Sequence, residues 1–432
     1  MWIARRKSGT EERKFDSTMK IERLLEFENE FWSVGSPPIT TLTLFKGSYQ
    51  HARDHLKRRV AEIVRLNPWL AGRLIRHGEK KVIALVHKIS SDEKSNGSTS
   101  FFVDVPLEKK INLNISKEKA LSEICSAVKD ASLLVKKGSE CINKDEDLFR
   151  VSIAPTADED CEGYAVIFSM SHVIGDGYTY YTLLNMLSED RTPTALSPKR
   201  KYHVDEEIRR KMESQGNSPG FLVNFIGGSI LSGILGPKTK LGMFYLDSDW
   251  VRKQKEASRE RKIVPFVSTN DIFTSHFFKA CKASMGWLVV NFRGRMEDCE
   301  TEDAGNYQNV VGYRPPDFDT PDLIRLSLKD MKRASRPLTS TPKSFFEHLG
   351  IFYGIVTNWT SFAKEITING QDIDFHIPLG MEPEAECSRI LSSACVFRAR
   401  KDRIGIMVIG HPDTVDKLKA SALAMTEKPP MC

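Results

Sequence analysis

The sequence lacks the features that mark most metal-binding, disulfide-rich and nucleic-acid-binding proteins. Its 8 cysteines are scattered over 432 residues, with no Cys-X-X-Cys pair and no histidine nearby at metal-ligand spacing. We therefore expect no metal site and no disulfide scaffold, and the pattern is typical of a reducing, cytoplasmic compartment. The net charge of +6 is mild, and no cluster of lysines and arginines with interleaved aromatics indicates nucleic-acid binding.

Long hydrophobic runs are also scarce. Residues 220–236 form one apolar stretch that is rich in glycine and serine and slightly shorter than the about 20 residues that a membrane span requires. A buried helix or a hydrophobic flap is the favoured interpretation, and shallow membrane contact is the alternative. Residues 1–19 are polar and mixed in charge. Because they have no apolar core, they do not form a secretory signal, and we interpret them as a flexible leader.

The length and the hydrophobic pattern predict an α/β protein with two lobes. A chain of 432 residues is too long for one ordinary core. Strand-like and helix-like segments alternate in both halves, which favours mixed β-sheets flanked by helices. We divide the chain into a leader (1–19), an N-terminal lobe (20–190), a crossover that contains prolines and the apolar stretch (191–262), and a C-terminal lobe (263–432).

Hydrophobic periodicity locates several elements within these parts. Residues 49–66 predict a helix, because their apolar side chains fall on one helical face. Residues 164–170 are almost all apolar, which indicates a central, buried strand. We predict that the C-terminal lobe begins with a strand at 263–267, and that the chain closes with a hairpin within 392–409 and a helix at 413–425.

The run HVIGDG at residues 172–177 directly follows the central strand. The strand therefore delivers His172 to its C-terminal end, where α/β proteins place ligands. Gly175 and Gly177 let the backbone turn tightly and leave room beside the imidazole. Asp176 could orient the ring, or it could point away and pair with an arginine that holds the turn.

A histidine in this position has a chemistry that fits group transfer. With a pKa of about 6.5, imidazole can accept a proton from an attacking alcohol or amine and pass it to a leaving thiolate. On spacing alone, however, three fixed residues are a weak pattern, and a hydrogen-bonded histidine at a strand end is the simpler interpretation.

Four further stretches accompany this run along the chain. They are NPWLAGRL (67–74), STNDI (268–272), VNFRGR with a later GN (290–306), and VTNW (356–359). Together with HVIGDG they resemble the motifs of the chloramphenicol-acetyltransferase-like superfamily, which includes the BAHD acyltransferases and shares the HxxxDG signature. The resemblance extends from about residue 40 to the end of the sequence.

The resemblance implies a two-lobed fold with an active-site tunnel between the lobes and His172 in its middle. A thioester donor and an acceptor would enter from opposite faces. With His172 as general base, the acceptor would attack the thioester directly through an oxyanion intermediate, without a covalent acyl-enzyme. Asp176 and Gly177 would support the site, and Asp176 would bind an arginine of the 293/295 pair, for which we favour Arg293.

Two departures from the family pattern concern the site. BAHD enzymes carry D-F-G-W-G late in the chain, whereas residues 374–378 are DFHIP. If the tryptophan of that motif supports the oxyanion, another group must do so here, and Thr357, Asn358 and Trp359 are the candidates. Asn358 could equally tie down a loop. Condensation domains and wax-ester synthases usually have two consecutive histidines, whereas Ser171 precedes His172 here.

These patterns predict an acyltransferase that moves an acyl group from acyl-CoA to a small-molecule alcohol or amine. Ser268 and Thr269 are candidates for the coenzyme A side of the site, and His376 is interpreted as a surface or structural residue. The alternatives are a carrier-bound donor, the formation of lipid esters, and a non-catalytic binding module. A hydrolase is disfavoured, because the sequence has no G-x-S-x-G elbow. We expect a cytoplasmic monomer without a bound cofactor.

Overall fold

The computed structural model describes most of the chain. The described residues are 18–89, 101–106, 120–130, 132–156, 163–212, 227–230, 234, 236–330, 352–379, 390–421 and 423–425. The predicted leader, apart from its last two residues, and most of the apolar stretch 220–236 lie outside these ranges. Within these ranges, no helix has both the length and the apolar character needed to span a bilayer. Shallow membrane contact through residues 220–236 stays a prediction.

The described residues form helices and strands in alternation. The helices are α1 (Glu26–Asn29), α2 (Phe31–Gly35), α3 (Tyr49–Leu66), α4 (Ala120–Asp130), α5 (Gly138–Cys141), α6 (Gly177–Asn185), α7 (Tyr202–Met212), α8 (Ser248–Arg261), α9 (Thr269–Ala280), α10 (Pro321–Asp330) and α11 (Pro412–Ser421). The strands are β1 (Met19–Arg23), β2 (Ile39–Lys46), β3 (Arg73–His77), β4 (Val82–Lys88), β5 (Phe102–Asp104), β6 (Phe149–Pro155), β7 (Gly163–Met170), β8 (Lys240–Leu246), β9 (Ala283–Asn291), β10 (Gln308–Tyr313), β11 (Phe352–Asn358), β12 (Thr367–Ile368), β13 (Gln371–Asp372), β14 (Phe375–Leu379), β15 (Leu391–Arg400), β16 (Arg403–Gly410) and β17 (Leu423–Met425).

A five-stranded sheet in the order β14-β2-β7-β6-β5 carries the HVIGDG run. Strand β7 lies in its centre and is buried along nearly its whole length, because both faces of the sheet are covered. Its neighbours β2 and β6 pair with it in antiparallel register. The chain therefore leaves a well-fixed strand at Met170 and enters the HVIGDG turn directly.

A seven-stranded sheet in the order β10-β9-β11-β15-β16-β8-β17 supplies the opposite side of the site. Strand β11 is parallel to both of its neighbours, β9 and β15. Since the C-terminal ends of parallel strands point to one edge of a sheet, Asn291 and Asn358 lie together at that edge, while β15 continues past Val396, the partner of Asn358, to Arg400.

Two strands cross the expected division of the chain. Strand β8, which falls in the predicted crossover 191–262, pairs with β16 inside the seven-stranded sheet. Strand β14, which falls in the predicted C-terminal lobe, pairs with β2 and completes the five-stranded sheet. The boundaries of the four predicted parts stay a prediction, but the two sheets are not each built from one continuous segment.

The local predictions are confirmed in part. Helix α3 spans residues 49–66, as its periodicity predicts, and buries Leu56, Val60 and Ile63. The strands β15 and β16 form the predicted hairpin. The predicted helix at 413–425 is too long, because α11 ends at Ser421 and the short strand β17 pairs with β8.

The predicted strand at 263–267 is wrong. Lys262 adopts a left-handed conformation (φ 56°) that ends α8, and Pro265 has no backbone N–H to donate to a ladder. Ile263 and Phe266, which made the segment look like a strand, are 48% and 59% exposed. The connection from α8 to α9 is a loop.

The architecture as a whole agrees with the predicted fold class. Mixed sheets flanked by helices account for the described residues, with large hydrophobic clusters beneath each of the two main sheets. The α/β prediction is therefore confirmed.

Two glycines let helix α9 pack closely against strands β9 and β11, whose C-terminal ends border the site. Gly286 and Gly354 are paired across β9 and β11, and the ring of Phe278 covers both. A Cβ atom at Gly286 would come within 2.6 Å of this ring.

We therefore expect Gly286→Ala to lower the free energy of unfolding, measured by chemical denaturation, by about 1–3 kcal/mol, as overpacking does. Gly35→Ala is the control, because nothing lies within 4 Å of its Cβ position. Equal losses in both variants would contradict this account.

Candidate active site

The HVIGDG turn is fixed at both of its ends by hydrogen bonds. Ser171 donates its backbone N–H to the carbonyl of Leu148 over 2.8 Å as the chain leaves β7. Asp176 is the N-cap of α6, and its Oδ1 accepts the backbone N–H of Thr179 over 3.0 Å. Such a cap stabilises the first turn of a helix. Gly177 is required by close packing, since a Cβ atom there would lie 2.9 Å from the indole nitrogen of Trp359.

The second carboxylate oxygen of Asp176 meets Arg293, as the resemblance implies for this pair. Arg293 Nη1 lies 2.7 Å from Asp176 Oδ2, and both side chains are at most 1% exposed. Oδ2 also accepts the backbone N–H of Tyr307 over 3.1 Å. The carboxylate is therefore directed toward Arg293 and the loop at 303–307, and it does not orient the imidazole through a hydrogen bond.

Arg293 uses its remaining donors to hold the same loop. Its Nε donates to the carbonyl of Asp303 over 2.8 Å, and Nη2 donates to the carbonyl of Gly305 over 2.8 Å and to Thr179 Oγ1 over 3.1 Å. The guanidinium also lies 4.8 Å from the ring centroid of Tyr178. A buried charge with this many partners fixes α6 and the loop relative to each other. The role of the pair in supporting catalysis stays a prediction.

His172 lies at the start of the turn and remains partly exposed. Its backbone carbonyl accepts a hydrogen bond from Asn306 Nδ2 over 2.9 Å. Its ring atom Nδ1 has no hydrogen-bond partner among the described residues. Burial lowers the pKa of His172 below its ordinary value, against the opposing influence of its own carbonyl, Asp176, Asn306 and Glu28. The ring is therefore neutral at neutral pH and able to accept a proton.

A second buried ion pair adjoins the turn, and sequence reasoning missed it. Arg200 Nε lies 2.8 Å from Glu28 Oε2, and both side chains are fully buried. Arg200 Nη2 donates to the carbonyl of Ile174, inside the HVIGDG run, over 3.1 Å. Neither residue lies in a motif or on a periodic face. Asn306 belongs to the GN motif, but the motif alone gives it no role.

A small cleft lies beside the capping aspartate. It encloses about 250 Å³, part of it open to solvent, and its lining brings together Thr357, Asn358 and Trp359 with Asp176 and residues of β9, β10 and α6. His172 is not among the residues that line it. The structure thus gathers the three oxyanion candidates in one cleft and places His172 outside that lining.

Asn358 is held by the loop that follows it. Its Oδ1 accepts hydrogen bonds from the backbone N–H and the hydroxyl of Thr360, over 2.9 and 2.7 Å. This contact corresponds to the second interpretation of Asn358 given by the sequence, in which the side chain stabilises a loop. Because Oδ1 is fixed in this way, the orientation of Nδ2 is fixed as well, and Nδ2 has no partner among the described residues.

The two candidates for the coenzyme A side have different roles. Ser268 caps α9, where its Oγ accepts the backbone N–H of Asp271 over 3.2 Å and the Asp271 carboxylate accepts the N–H of Ser268 in return. Its hydroxyl is thus engaged within the helix terminus. Thr269 lines a broad, open groove that also contains Arg252 and Lys255.

His376 is a structural residue, as interpreted, and it lies in the core. Its Nδ1 is 2.8 Å from Thr43 Oγ1 and its Nε2 is 2.9 Å from the hydroxyl of Tyr181. Burial lowers the pKa of His376 to about 4, so the ring is neutral at physiological pH. The described residues contain no cluster of three histidine, cysteine or acidic side chains placed to hold a metal.

The buried pair of Asp176 and Arg293 gives a prediction for stability. Asp176→Asn leaves the buried guanidinium of Arg293 without its counter-charge. We expect the free energy of unfolding to fall by about 3–5 kcal/mol, measured by urea denaturation. The control is Asp416→Asn, which removes an ion pair between partly exposed Lys240 and Asp416 and should cost less than about 1 kcal/mol. Similar losses in the two variants would show that the buried pair contributes no more than a surface pair.

Comparisons with known proteins find similarity in structure and none in sequence. No protein-family model matches the sequence, and a search of curated proteins finds no match. TRI101 from F. sporotrichioides, in a complex with coenzyme A and T-2, is similar with a TM-score of 0.61 and 12% identity over 92% of this chain and 97% of that one.

Two other solved structures are similar over comparable lengths. Vinorine synthase gives a TM-score of 0.55 and 13% identity over 95% of this chain and 96% of its own. The first condensation domain of the CDA synthetase gives a TM-score of 0.56 and 11% identity over 91% of each chain. At this identity the likeness shows the fold, and the resemblance seen in the sequence motifs is confirmed at that level: the chain has the two-lobed chloramphenicol-acetyltransferase-like fold that BAHD acyltransferases and condensation domains share.

Proposed function

We propose that this protein is an acyltransferase that moves an acyl group from a coenzyme A thioester to a hydroxyl or amine of a small molecule. The observation that carries the proposal is His172, a partly exposed histidine with a lowered pKa at the start of a turn fixed by a buried aspartate–arginine pair. A general base needs both features, because it must be unprotonated and must hold its direction.

The proton transfers need a neutral imidazole at His172, and burial lowers the pKa of this ring. Nδ1 is buried without a hydrogen-bond partner among the described residues, so Nε2 is the ring nitrogen that we assign to proton transfer. Nε2 takes the proton of the acceptor as its oxygen or nitrogen bonds to the thioester carbon. When the carbon–sulfur bond breaks, Nε2 returns that proton to the leaving thiolate. No acyl-enzyme is formed.

Asn358 is the proposed donor to the oxyanion that forms on the thioester oxygen. Its Oδ1 is engaged by Thr360, so Nδ2 is a fixed donor in the wall of the cleft. A donor that is already oriented stabilises developing negative charge without reorganisation. Thr357 and Trp359 border the same cleft and would shape the space around the reacting carbonyl.

The groove beside Thr269 is the proposed site for the phosphates of coenzyme A. Its lining combines three basic side chains of α8 with one from the start of β16, namely Arg252, Lys255, Arg259 and Arg403. Arginine and lysine are the usual partners of phosphate groups. TRI101 has been crystallised with coenzyme A, and this supports a donor of the same kind.

The position of the groove suits a donor that must reach the cleft. Strands β11, β15, β16 and β8 are successive neighbours in one sheet, so a strand spacing of about 4.8 Å places the end of β8 about 14 Å from the end of β11. The groove lies at the end of β8, and the cleft lies at the end of β11. The pantetheine arm of coenzyme A would follow this edge. The monomeric state and the cytoplasmic location stay predictions.

The direct test is thioester turnover by the purified protein with a panel of acyl-CoA donors and candidate acceptors, followed as release of free thiol. We expect His172→Ala to lower kcat/KM by about 10²–10⁴-fold, the usual contribution of general base catalysis. His276→Ala is the matched control, because the His276 ring is hydrogen-bonded to Ser421 Oγ and lines neither the cleft nor the groove. This variant should leave turnover unchanged. Full activity in His172→Ala would remove this residue from the mechanism.

A second prediction concerns donor binding. Lys255→Glu reverses a charge in the groove beside Thr269, and we expect KM for acyl-CoA to rise about 10-fold while kcat stays similar, since a phosphate contact contributes to binding and not to chemistry. Lys253→Glu is the control, because Lys253 lies exposed on the same helix and does not line the groove. Equal effects of the two variants would show only a general dependence on net charge.

A further inference from the structure

We propose that Glu28 is a positioning residue for His172, acting through Asn306. The proposal rests on the assignment of His172 as general base. Glu28 belongs to the short helix α1, near the start of the described chain, and no motif includes it. It nevertheless reaches the start of the HVIGDG turn through a single intervening side chain.

Three hydrogen bonds connect Glu28 to His172. Glu28 Oε1 accepts the backbone N–H of Asn306 over 3.0 Å and its Nδ2 over 3.1 Å. The same Nδ2 donates to the carbonyl of His172 over 2.9 Å. Asn306 is 2% exposed and Glu28 is fully buried. The amide of Asn306 is therefore held between a fixed carboxylate and the backbone of the catalytic histidine.

Arg200 fixes the carboxylate and binds the same two loops. Beyond its ion pair with Glu28, it donates to the carbonyl of Ala304 over 2.9 Å and to that of Ile174 over 3.1 Å. Glu28 Oε2 also accepts the backbone N–H of Leu25 over 2.9 Å. Every atom of the Glu28–Arg200 pair that faces the turn thus has a hydrogen-bond partner. A buried polar network specifies a unique geometry when all of its members are satisfied in this way.

Stability alone does not account for this arrangement. A buried ion pair is often no more stable than apolar residues of similar size, because both charges must be removed from water. The contacts here are instead directed at particular backbone atoms, namely the carbonyls of His172 and Ile174. Holding these carbonyls fixes the direction in which the imidazole leaves the chain.

The charge of Glu28 has a separate consequence with a definite sign. A negative charge near an imidazole stabilises the protonated ring, and Glu28 raises the pKa of His172 against the lowering by burial. Removal of that charge moves the pKa further down. Loosening of the structure does the opposite, since water entering the site relieves the burial and moves the pKa back up.

The experiment compares Glu28→Gln and Asn306→Ala with the unchanged protein. Asn306→Ala removes the link to His172 and leaves the Glu28–Arg200 pair in place, so it remains informative if Glu28→Gln folds poorly. The pKa of His172 is measured by NMR titration of protein labelled at histidine Cε1, with the resonance assigned through His172→Ala. Kinetics are measured alongside. Asp322→Asn is the matched control, because Asp322 is a fully buried carboxylate paired with Arg261 elsewhere in the fold.

We expect Glu28→Gln to lower the pKa of His172 because a nearby negative charge is lost, and Asn306→Ala to lower it because the amide side chain that also raises this pKa is lost. Both variants should lower kcat by about 10–100-fold with little change in KM. Asp322→Asn should lower stability and leave the pKa of His172 unchanged. An unchanged or raised pKa in both variants would overturn the proposal. The titration needs no turnover, so it decides this question even if the unchanged protein transfers no acyl group, a result that would refute the proposed function by itself.

Discussion

Two buried guanidinium groups determine the geometry of the candidate site. Arg293 and Arg200 have their side chains removed from water, and each must find a full set of partners because an unpaired buried charge is costly. Arg293 takes the carboxylate of Asp176 from the loop at 172–176 and the carbonyls of Asp303 and Gly305 from the loop at 303–306. Arg200 takes the carboxylate of Glu28 and one carbonyl from each loop, those of Ile174 and Ala304. The loops are thereby fixed to each other on both sides. This constraint fixes the relative positions of the imidazole, the N-cap of α6 and the cleft.

The partners of these two arginines come from distant parts of the chain. Glu28 and Arg200 are separated by 172 positions, and Arg293 and Asp176 by 117. No short segment contains a working set of contacts, so the site forms only when both main sheets are in place.

Residues 49–66 and 164–170 show how far the sequence predicts this structure. The first carries a helical periodicity and the second is an almost continuous apolar run, and both form the expected elements. The segment 263–267 shows the limit of such prediction. Its apolar residues suggest a strand, but Pro265 cannot donate a backbone hydrogen bond and the segment forms a loop. Among site residues, His172 and the Asp176–Arg293 pair carry recognisable motifs. Arg200 belongs to no motif. It lies in a proline-containing connection, and only the tertiary structure brings it to its partner Glu28.

Strand β14 limits how far the two halves of the chain can move apart. It comes from the second half of the chain but is hydrogen-bonded to β2 along five residue pairs, from Phe375 with Leu44 to Leu379 with Thr40. A clamshell motion that pulled the two halves apart would have to break this ladder or carry the strand along. The ladder therefore keeps the two halves of the chain together where β14 meets β2, and any ligand that binds between them must enter without their wide separation.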